Sequence, residues 1–459
     1  MSTEPNPSTT TINSISGRLE RLPFSIFHKR FIAMIATGEF IETLMLLGNG
    51  VVLVLIASTL HFSTTMATKV VPDAFFVGEF VGAIGSGYIA DKYGRKKIFF
   101  YDLLIFGLAM IAAGFSSSPY LIGSLFFLSG IGVGGEFAAG DTYTAEMMPA
   151  QKRGRGIAVI YTIAVLAGPI IAGLGYLLSH HIAGSDSWRI LLWIMGGAAL
   201  IGWIIRLKVP ESPRWLESHG HQAEADAAMT AIENEVMKHE KLASLPPVKP
   251  MLPVKPHKIR YRDIFAPDVK RKTIMMLVFE FFQSGIFYGF TTLAPTFLYL
   301  KGVTLVTTLL FTMVIYSGFF VGSLFSIYII DKVERKWGIV ATAIIAGVLG
   351  VLFAVITNIA VVVILGFVIC FDLWNFSNFF HAYQAEIFPT KVRSTAAGAV
   401  YGVSRISTAI LVLFITDLIL PHGLAVTFIV IWIFVLIVVI DIAVFGPRAS
   451  RIAVEDIVQ

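Results

Sequence analysis

The chain has 459 residues, of which 56% are hydrophobic and only 14% charged. A soluble domain carries about 25% charged residues, and here the apolar excess falls in long blocks, so an all-α polytopic membrane protein is expected. The net charge of +5 does not point to nucleic acid, one cysteine (Cys370) excludes an intrachain disulfide or Cys-based metal site, and the blocks are unlike the roughly ten-residue dyads of an outer-membrane barrel.

In chain order, residues 1–30 are expected as a cytoplasmic tail, the first ~17 being a disordered Ser/Thr/Pro/Asn-rich stretch. No signal peptide is read, because the first apolar block is too long and too far from the N-terminus. Apolar runs predict spans at 31–58, 65–90, 98–117, 120–147, 157–180 and 188–208, forming a first bundle over 31–208. A second bundle, 271–447, holds spans at 272–299, 303–330, 337–357, 359–388, 394–420 and 423–445. Each is near or above the ~20 residues needed to cross a bilayer. Residues 209–270 join the helical pattern "HQAEADAAMTAIENEVMKHEKLA" to the Pro-rich "PPVKPMLPVKPHK" and read as a cytoplasmic linker. Residues 448–459 are a cytoplasmic tail. "DKYGRKK" (91–97), "QKRGRG" (151–156), the linker, "DKVERK" (331–336) and "KVR" (391–393) all fall on one side. The positive-inside rule makes that side, with both termini, cytoplasmic.

The halves repeat each other. "YIADKYGRK" (88–96) matches "YIIDKVERK" (328–336), and "YTAEMMPAQKR" (143–153) matches "YQAEIFPTKVR" (383–393), both at an offset of 240 residues. A duplicated six-helix unit is the sign of a transporter that rocks one half against the other around a midplane site.

These motifs resemble the major facilitator superfamily over nearly the whole chain. "GYIADKYGRKK" is similar to that superfamily's loop between spans 2 and 3. "PESPRWL" (210–216) and the paired E-x6-R motifs ending spans 4 and 10 resemble its sugar-porter branch. The resemblance implies two pseudo-symmetric six-helix bundles. It also implies a cytoplasmic gate: Asp91, Arg95, Glu146 and Arg153 in one ion-pair cluster, and Asp331, Arg335, Glu386 and Arg393 in its partner. Such clusters hold the outward-facing state and break when the inner side opens. Glu334 stands where the first copy has Gly94, so a different loop geometry is expected there.

The branch motifs depart from hexose porters. Where those carry "QQ-x-SG-x-N" in span 7, this chain has "FFQSGIF" (281–287), which puts Phe281, Phe282 and Phe287 at amide positions and keeps Gln283 one place on. Their arginine early in span 4 and their "PETKG"-like ending are missing too. "GIGVGGEFAAGDTYTAE" (130–146) is similar to phosphate:proton and metabolite:proton symporters. "GEFIETLMLLG" (38–48) is similar to metabolite symporters, which keep a glutamate at Glu42. "EIFPTKVRSTAAG" resembles phosphate symporters, which carry a basic residue at Arg405. Tyr288 matches that family, whereas Phe137, Glu280 and Ser284 depart from it.

Acids within the expected spans are Glu39, Glu42, Glu79, Glu136, Asp141, Glu280 and Asp372; Arg405 is the only base read at the centre of a span. Seven carboxyls cannot all be ionised in low dielectric, and intramembrane carboxyls are proton carriers by default. Glu42, Glu136 and Glu39 are the candidate proton-coupling residues, because the resemblance sets spans 1 and 4 beside the cavity. Asp141 falls elsewhere on its helix and suits the inner gate, and Glu79 is left without a role. Span 10, "CFDLWNFSNFFHAYQAE", sets Trp374, Asn378 and His381 on one face and Asp372 and Asn375 on an adjoining stripe. With Gln283, Glu280, Tyr288 and Arg405 these are the candidate substrate-binding residues. A guanidinium grips carboxylate or phosphate bidentately. Arg405 is therefore expected to be neutralised by a carboxylate when empty and by an anionic substrate when loaded. The other reading is a permanent ion pair with Asp372 or Glu280.

The expected function is secondary transport by alternating access, as proton-coupled uptake of a small anionic metabolite such as an organic carboxylate. The partners are that small molecule, protons and the lipid bilayer, and the protein is a monomer in the cell membrane. Sugar or polyol:proton symport and phosphate:proton symport are the alternatives, with sodium as the alternative coupling ion. Export, suggested faintly by "AGPIIAG" (167–173), and a non-transporting sensor are weaker readings. No nucleophile–base set, phosphate loop or metal-ligand spacing is present, so no enzyme activity, cofactor or metal is expected.

Overall fold

The computed structural model describes residues 15–181, 186–248, 261–267, 269–330, 332–388 and 393–448; these are helical almost throughout and include no strand. Span 1 is Ile26–Thr59. Span 2 runs through Thr64–Thr68, Lys69–Asp73 and Ala74–Tyr93, span 3 is Arg95–Gly114, and span 4 joins Pro119–Val133 to Glu136–Met147. Span 5 joins Ala150–Ala164 to Ala167–His181, and span 6 is Ser187–Arg206. In the second bundle, span 7 joins Lys270–Thr291 to Ala294–Leu300, and spans 8, 9 and 10 are Leu305–Ile329, Arg335–Val355 and Ile359–Ile387. Span 11 starts with Arg393–Phe414, and span 12 with Leu424–Ile440. Ten helices are long and apolar enough to cross a membrane, and Pro119–Val133 is a shorter apolar one.

The first difference from the sequence reading is at the start of the chain. Span 1 begins at Ile26 rather than 31, and Ile15–Glu20 is a separate short helix. Ile15 and Leu19, one helical turn apart, are fully buried. They belong to one apolar cluster with Ala225, Met229, Ile232 and Val236 of the linker helix Gln222–Glu240. Arg18 pairs with Asp226 at 3.1 Å and with Glu233 at 2.7 Å, and Arg21 pairs with Glu233 at 2.7 Å. Burial pushes the Glu233 carboxyl up, but the hydrogen bonds and charges of Arg18 and Arg21 prevail and hold it below the usual carboxylate range. Polar composition hid this helix, because its apolar face is only two residues wide.

The repeat is structural down to single residues. A Cβ on Gly78 of span 2 would lie 2.0 Å from the Phe127 carbonyl oxygen of span 4, and one on Gly318 of span 8 would lie 2.2 Å from that of Phe367 in span 10. Gly82 against Ile131 and Gly322 against Phe371 repeat the relation. Each residue of one set stands 240 positions from its counterpart. Both crossings are therefore backbone-close, as small residues permit in membrane helices. At the same offset Glu39, Glu79 and Glu136 correspond to Phe279, Phe319 and Phe376, and Arg405 to Val165. At these four positions the duplicated scaffold carries acids only in the first half and the base only in the second.

The bundles close on each other at the face away from the linker. Gly168, Gly173 and Gly175 of span 5 lie against Tyr316, Met313 and Leu309 of span 8, and Gly50 of span 1 lies against Thr292 and Pro295 of span 7. Thr65 donates to Asp417 at 3.2 Å on the same side. Toward the linker face a Cβ on Gly85, Gly398 or Gly402 would meet no atom within 4 Å, His381 is exposed, and Thr162 of span 5 meets Ser323 of span 8 at 3.0 Å.

Candidate functional site

Arg405 lies one turn of helix along span 11 from Gly402. Arg405 is 1% exposed. One guanidinium nitrogen donates to Tyr288 Oη of span 7 at 2.7 Å, and another donates to Tyr401 Oη one turn back on span 11. The guanidinium also lies over the Tyr401 ring, 4.6 Å from its centroid. Its Nε is 2.9 Å from Oε1 of Glu79 on span 2, which is also 1% exposed. A bare guanidinium at bilayer centre costs about 2.5–3.5 kcal/mol on insertion scales. Here a carboxylate, two phenol oxygens and an aromatic face compensate that cost. The partner is neither Asp372 nor Glu280, as the ion-pair alternative held, but a residue to which the sequence reading gave no role.

Glu42 of span 1 lies within electrostatic range of Glu79, Glu39, Arg405 and Glu136. Several buried carboxyls thus face one guanidinium from the opposite bundle. Glu280 of span 7 accepts from Gln283 at 2.5 Å, and Ser284 meets Ser407 of span 11 at 2.7 Å. The Ser284–Ser407 bond ties span 7 to span 11 beside Arg405. The aromatic wall of the site includes Phe76, 5.3 Å from the Tyr288 ring, and Trp374, 5.9 Å from Phe319. The His381 ring is 6.2 Å from that of Tyr401.

Span 10 supplies less than its sequence suggested. Asn378 donates to Ser326 of span 8 at 2.8 Å, and Asn375 donates to the Phe371 carbonyl one turn back at 2.8 Å. Asp372 faces span 9 at Ala346. The Nδ2 groups of both asparagines are used within the bundle, while Asp372 Oδ2 and Asn375 Oδ1 are buried without a hydrogen-bond partner.

Arg405 is also not the only buried base. Arg206, at the end of span 6, is 3% exposed and donates to Glu136 with two nitrogens, one of them at 2.8 Å. It donates to the Met34 and Ile35 carbonyls at 3.1 and 3.0 Å, and reaches Asp102 of span 3 at 3.6 Å. Glu136, expected as a proton-coupling residue beside Glu42, is committed to this arginine. The sequence gave little sign of it. Arg206 closes its span and reads as a topology charge, and Asp102 sits near the start of span 3. Glu39 lies between the two networks: a Cβ on Gly140 of span 4 would come 2.6 Å from its Oε1.

Of the expected gate residues, Asp331 and the side chains of Asp91, Arg153 and Arg393 lie outside the described residues, as do those of Asp141 and Phe137. Arg95 pairs with Glu146 at 3.0 Å, and Arg335 with Glu386 at 3.3 Å. Each pair joins neighbouring spans of one bundle. Glu211 of "PESPRWL" accepts from the Arg95 and Lys96 amides at 2.9 and 3.2 Å, an acid at a helix N-terminus. Gly94 precedes them with φ +99°, and a Cβ there would strike Glu211. In the second copy Glu334 caps its own helix by accepting from the Trp337 amide at 3.1 Å. The substitution of Gly94 by Glu334 thus replaces a capping acid from the linker with a local one.

The model of the sugar (and other) transporter family matches residues 22–458, so the chain belongs to that family, a family of transporters rather than enzymes. The inner membrane metabolite transport protein YdjE of Escherichia coli is 28% identical over 97% of this chain and 98% of that protein. The niacin transporter NiaP of Acinetobacter baylyi is 24% identical over 96% and 98%. Among solved structures, the xylose transporter XylE of E. coli in a partially occluded inward-open conformation aligns with a TM-score of 0.72 at 18% identity, covering 92% of this chain and 99% of that one. The fold is that of the major facilitator superfamily, and the chain is a multi-pass membrane transporter.

Proposed function

We propose that this member of the sugar (and other) transporter family takes up a small monovalent organic carboxylate together with a proton, using Arg405 as the anion anchor. The observation that carries the reading is Arg405 itself: a buried guanidinium at the boundary between the bundles, oriented by Tyr288 and Tyr401. A planar guanidinium beside aromatic rings suits a flat carboxylate. One relative is named a niacin transporter and another a putative niacin/nicotinamide transporter; niacin is a small aromatic carboxylate, which supports the same class. By the positive-inside rule the linker face is cytoplasmic.

The energetics favour proton coupling. A monovalent anion entering a negative-inside cell opposes about 2.3 kcal/mol per 100 mV. One accompanying proton cancels that charge, and a pH gradient then drives accumulation at about 1.4 kcal/mol, or tenfold, per unit. Glu42 and Glu39 are the proton-coupling candidates that remain near Arg405. Sugar or polyol symport is the competing reading, suggested by the family's name; Phe281, Phe282 and Phe287 leave such a substrate few hydrogen-bond partners in span 7.

The test is ligand-induced thermal stabilisation of the purified protein and of Arg405→Ala, with benzoate, nicotinate, succinate, phosphate and xylose at two pH values. A carboxylate that stabilises only the wild type, and more so at low pH, supports the reading. Xylose stabilising both proteins equally overturns it.

A further inference from the structure

Glu79 reaches Arg405 from the opposite bundle, yet the guanidinium gives its carboxylate no aligned hydrogen bond, and its hydrogen-bond partner is Glu42 of span 1. The contact is one of charge at 2.9 Å rather than an aligned, two-pronged clasp. An incoming carboxylate can engage the guanidinium bidentately, which is the stronger arrangement. We propose that Glu79 is the internal occupant of the anion site, that the substrate displaces it from Arg405, and that the displaced carboxyl takes up the co-transported proton. This rests on the anionic reading above.

The surroundings dictate what happens on displacement. Glu79 is faced by Glu42 of span 1 and by Arg405 of span 11. Tyr288 and Glu280 of span 7, His381 of span 10 and Tyr401 of span 11 lie around the same guanidinium, with Glu39 of span 1 and Glu136 of span 4 beside Glu42. Once the substrate holds Arg405, an ionised Glu79 would be a buried carboxylate beside Glu42 without a counter-charge, which low dielectric forbids. It becomes neutral by binding one proton at a carboxylate oxygen, and no other bond changes. The loaded site then holds one anion, one guanidinium and one extra proton. On release, anion and proton leave together, and Glu79 neutralises Arg405 again, so that the empty carrier returns without a bare charge. This accounts for the asymmetry of the repeat: position 319, the counterpart of Glu79, is a phenylalanine, because one displaceable acid opposite one base is sufficient.

The test is isothermal titration of the full-length protein with benzoate, nicotinate, succinate and phosphate between about pH 6 and pH 8, in buffers of different ionisation enthalpy. The wild type is expected to take up about one proton per monovalent anion, with affinity falling tenfold per pH unit over part of that range. In Glu79→Gln the competitor is gone and no proton is required, so affinity at the higher pH rises and its pH slope disappears. A wild-type slope in Glu79→Gln overturns the inference and leaves the anionic reading standing. Where that variant does not fold, the wild-type proton count decides alone, and anion binding without proton uptake overturns the inference. Absence of binding by every anion overturns the anionic reading itself, and this inference with it.

Discussion

Arg405 of span 11 and Glu79 of span 2 meet at 2.9 Å, both buried, across the boundary between the two bundles. An ion pair in that position is broken or remade whenever the bundles move apart at this depth. Removing one partner of a buried pair leaves the other uncompensated, at a cost of about 3–5 kcal/mol. Arg405→Ala is therefore expected to lower the thermal midpoint strongly, and Arg405→Ala/Glu79→Ala to recover much of the loss without recovering anion binding. Thermal unfolding of the four proteins measures both effects; equal midpoints for single and double variants would remove the coupling.

The second buried network predicts a different phenotype. Arg206 is satisfied by Glu136, Asp102 and two backbone carbonyls, all within the first bundle. Arg206→Met should destabilise by about 3–5 kcal/mol. Glu136→Gln, which keeps a hydrogen-bond acceptor for Arg206, should be milder and should leave the pH slope of anion binding at its wild-type value. A flat pH profile in Glu136→Gln would return that residue to the proton pathway.

The backbone-close crossings give a steric prediction. Gly78→Ala and Gly318→Ala drive a Cβ into the Phe127 and Phe367 carbonyls, an overpacking that costs about 1–3 kcal/mol. Gly402→Ala meets no atom within 4 Å and gains helix propensity, so it should fold at least as well as wild type. Midpoints of the three variants in one detergent check the contrast.

At the linker face, Glu233 ties the helix Ile15–Glu20 to Gln222–Glu240. Its carboxyl is held below the usual range by Arg18 and Arg21. A depressed folded-state value means that the contribution is present above the unfolded value of about 4.3 and is lost as pH falls through the folded one. Glu233→Ala should remove it at neutral pH, raising hydrogen exchange at Leu19–Leu22 on the order of tenfold, or about 1.4 kcal/mol. Unchanged exchange would mean that Ile15 and Leu19 hold the helix without the arginines.

The fold was legible because its signals are local: apolar blocks give the spans, and two charged motifs at one offset give the duplication. Arg405 was legible for the same reason, as a base inside an apolar run. Its partner was not, because the pairing of Glu79 with Arg405 depends on how far span 2 is rotated against span 11, and no pattern within either span records that. The Gly78 and Gly318 crossing would have helped, since it fixes which face of span 2 meets span 4 and so which face is left for the centre. Arg206 was missed because it ends its helix, where basic residues ordinarily mark topology. The contacts of Asn375 and Asn378 were not legible, because their spacing is the same whether they face a cavity or a neighbouring helix.

The most direct measurement is uptake of the panel carboxylates into proteoliposomes under an imposed pH gradient with the membrane potential clamped at zero. Proton-coupled anion transport on Arg405 predicts accumulation of at least one of them, approaching tenfold per pH unit, and none with Arg405→Ala. Accumulation of xylose instead, at the same rate in both proteins, would contradict it.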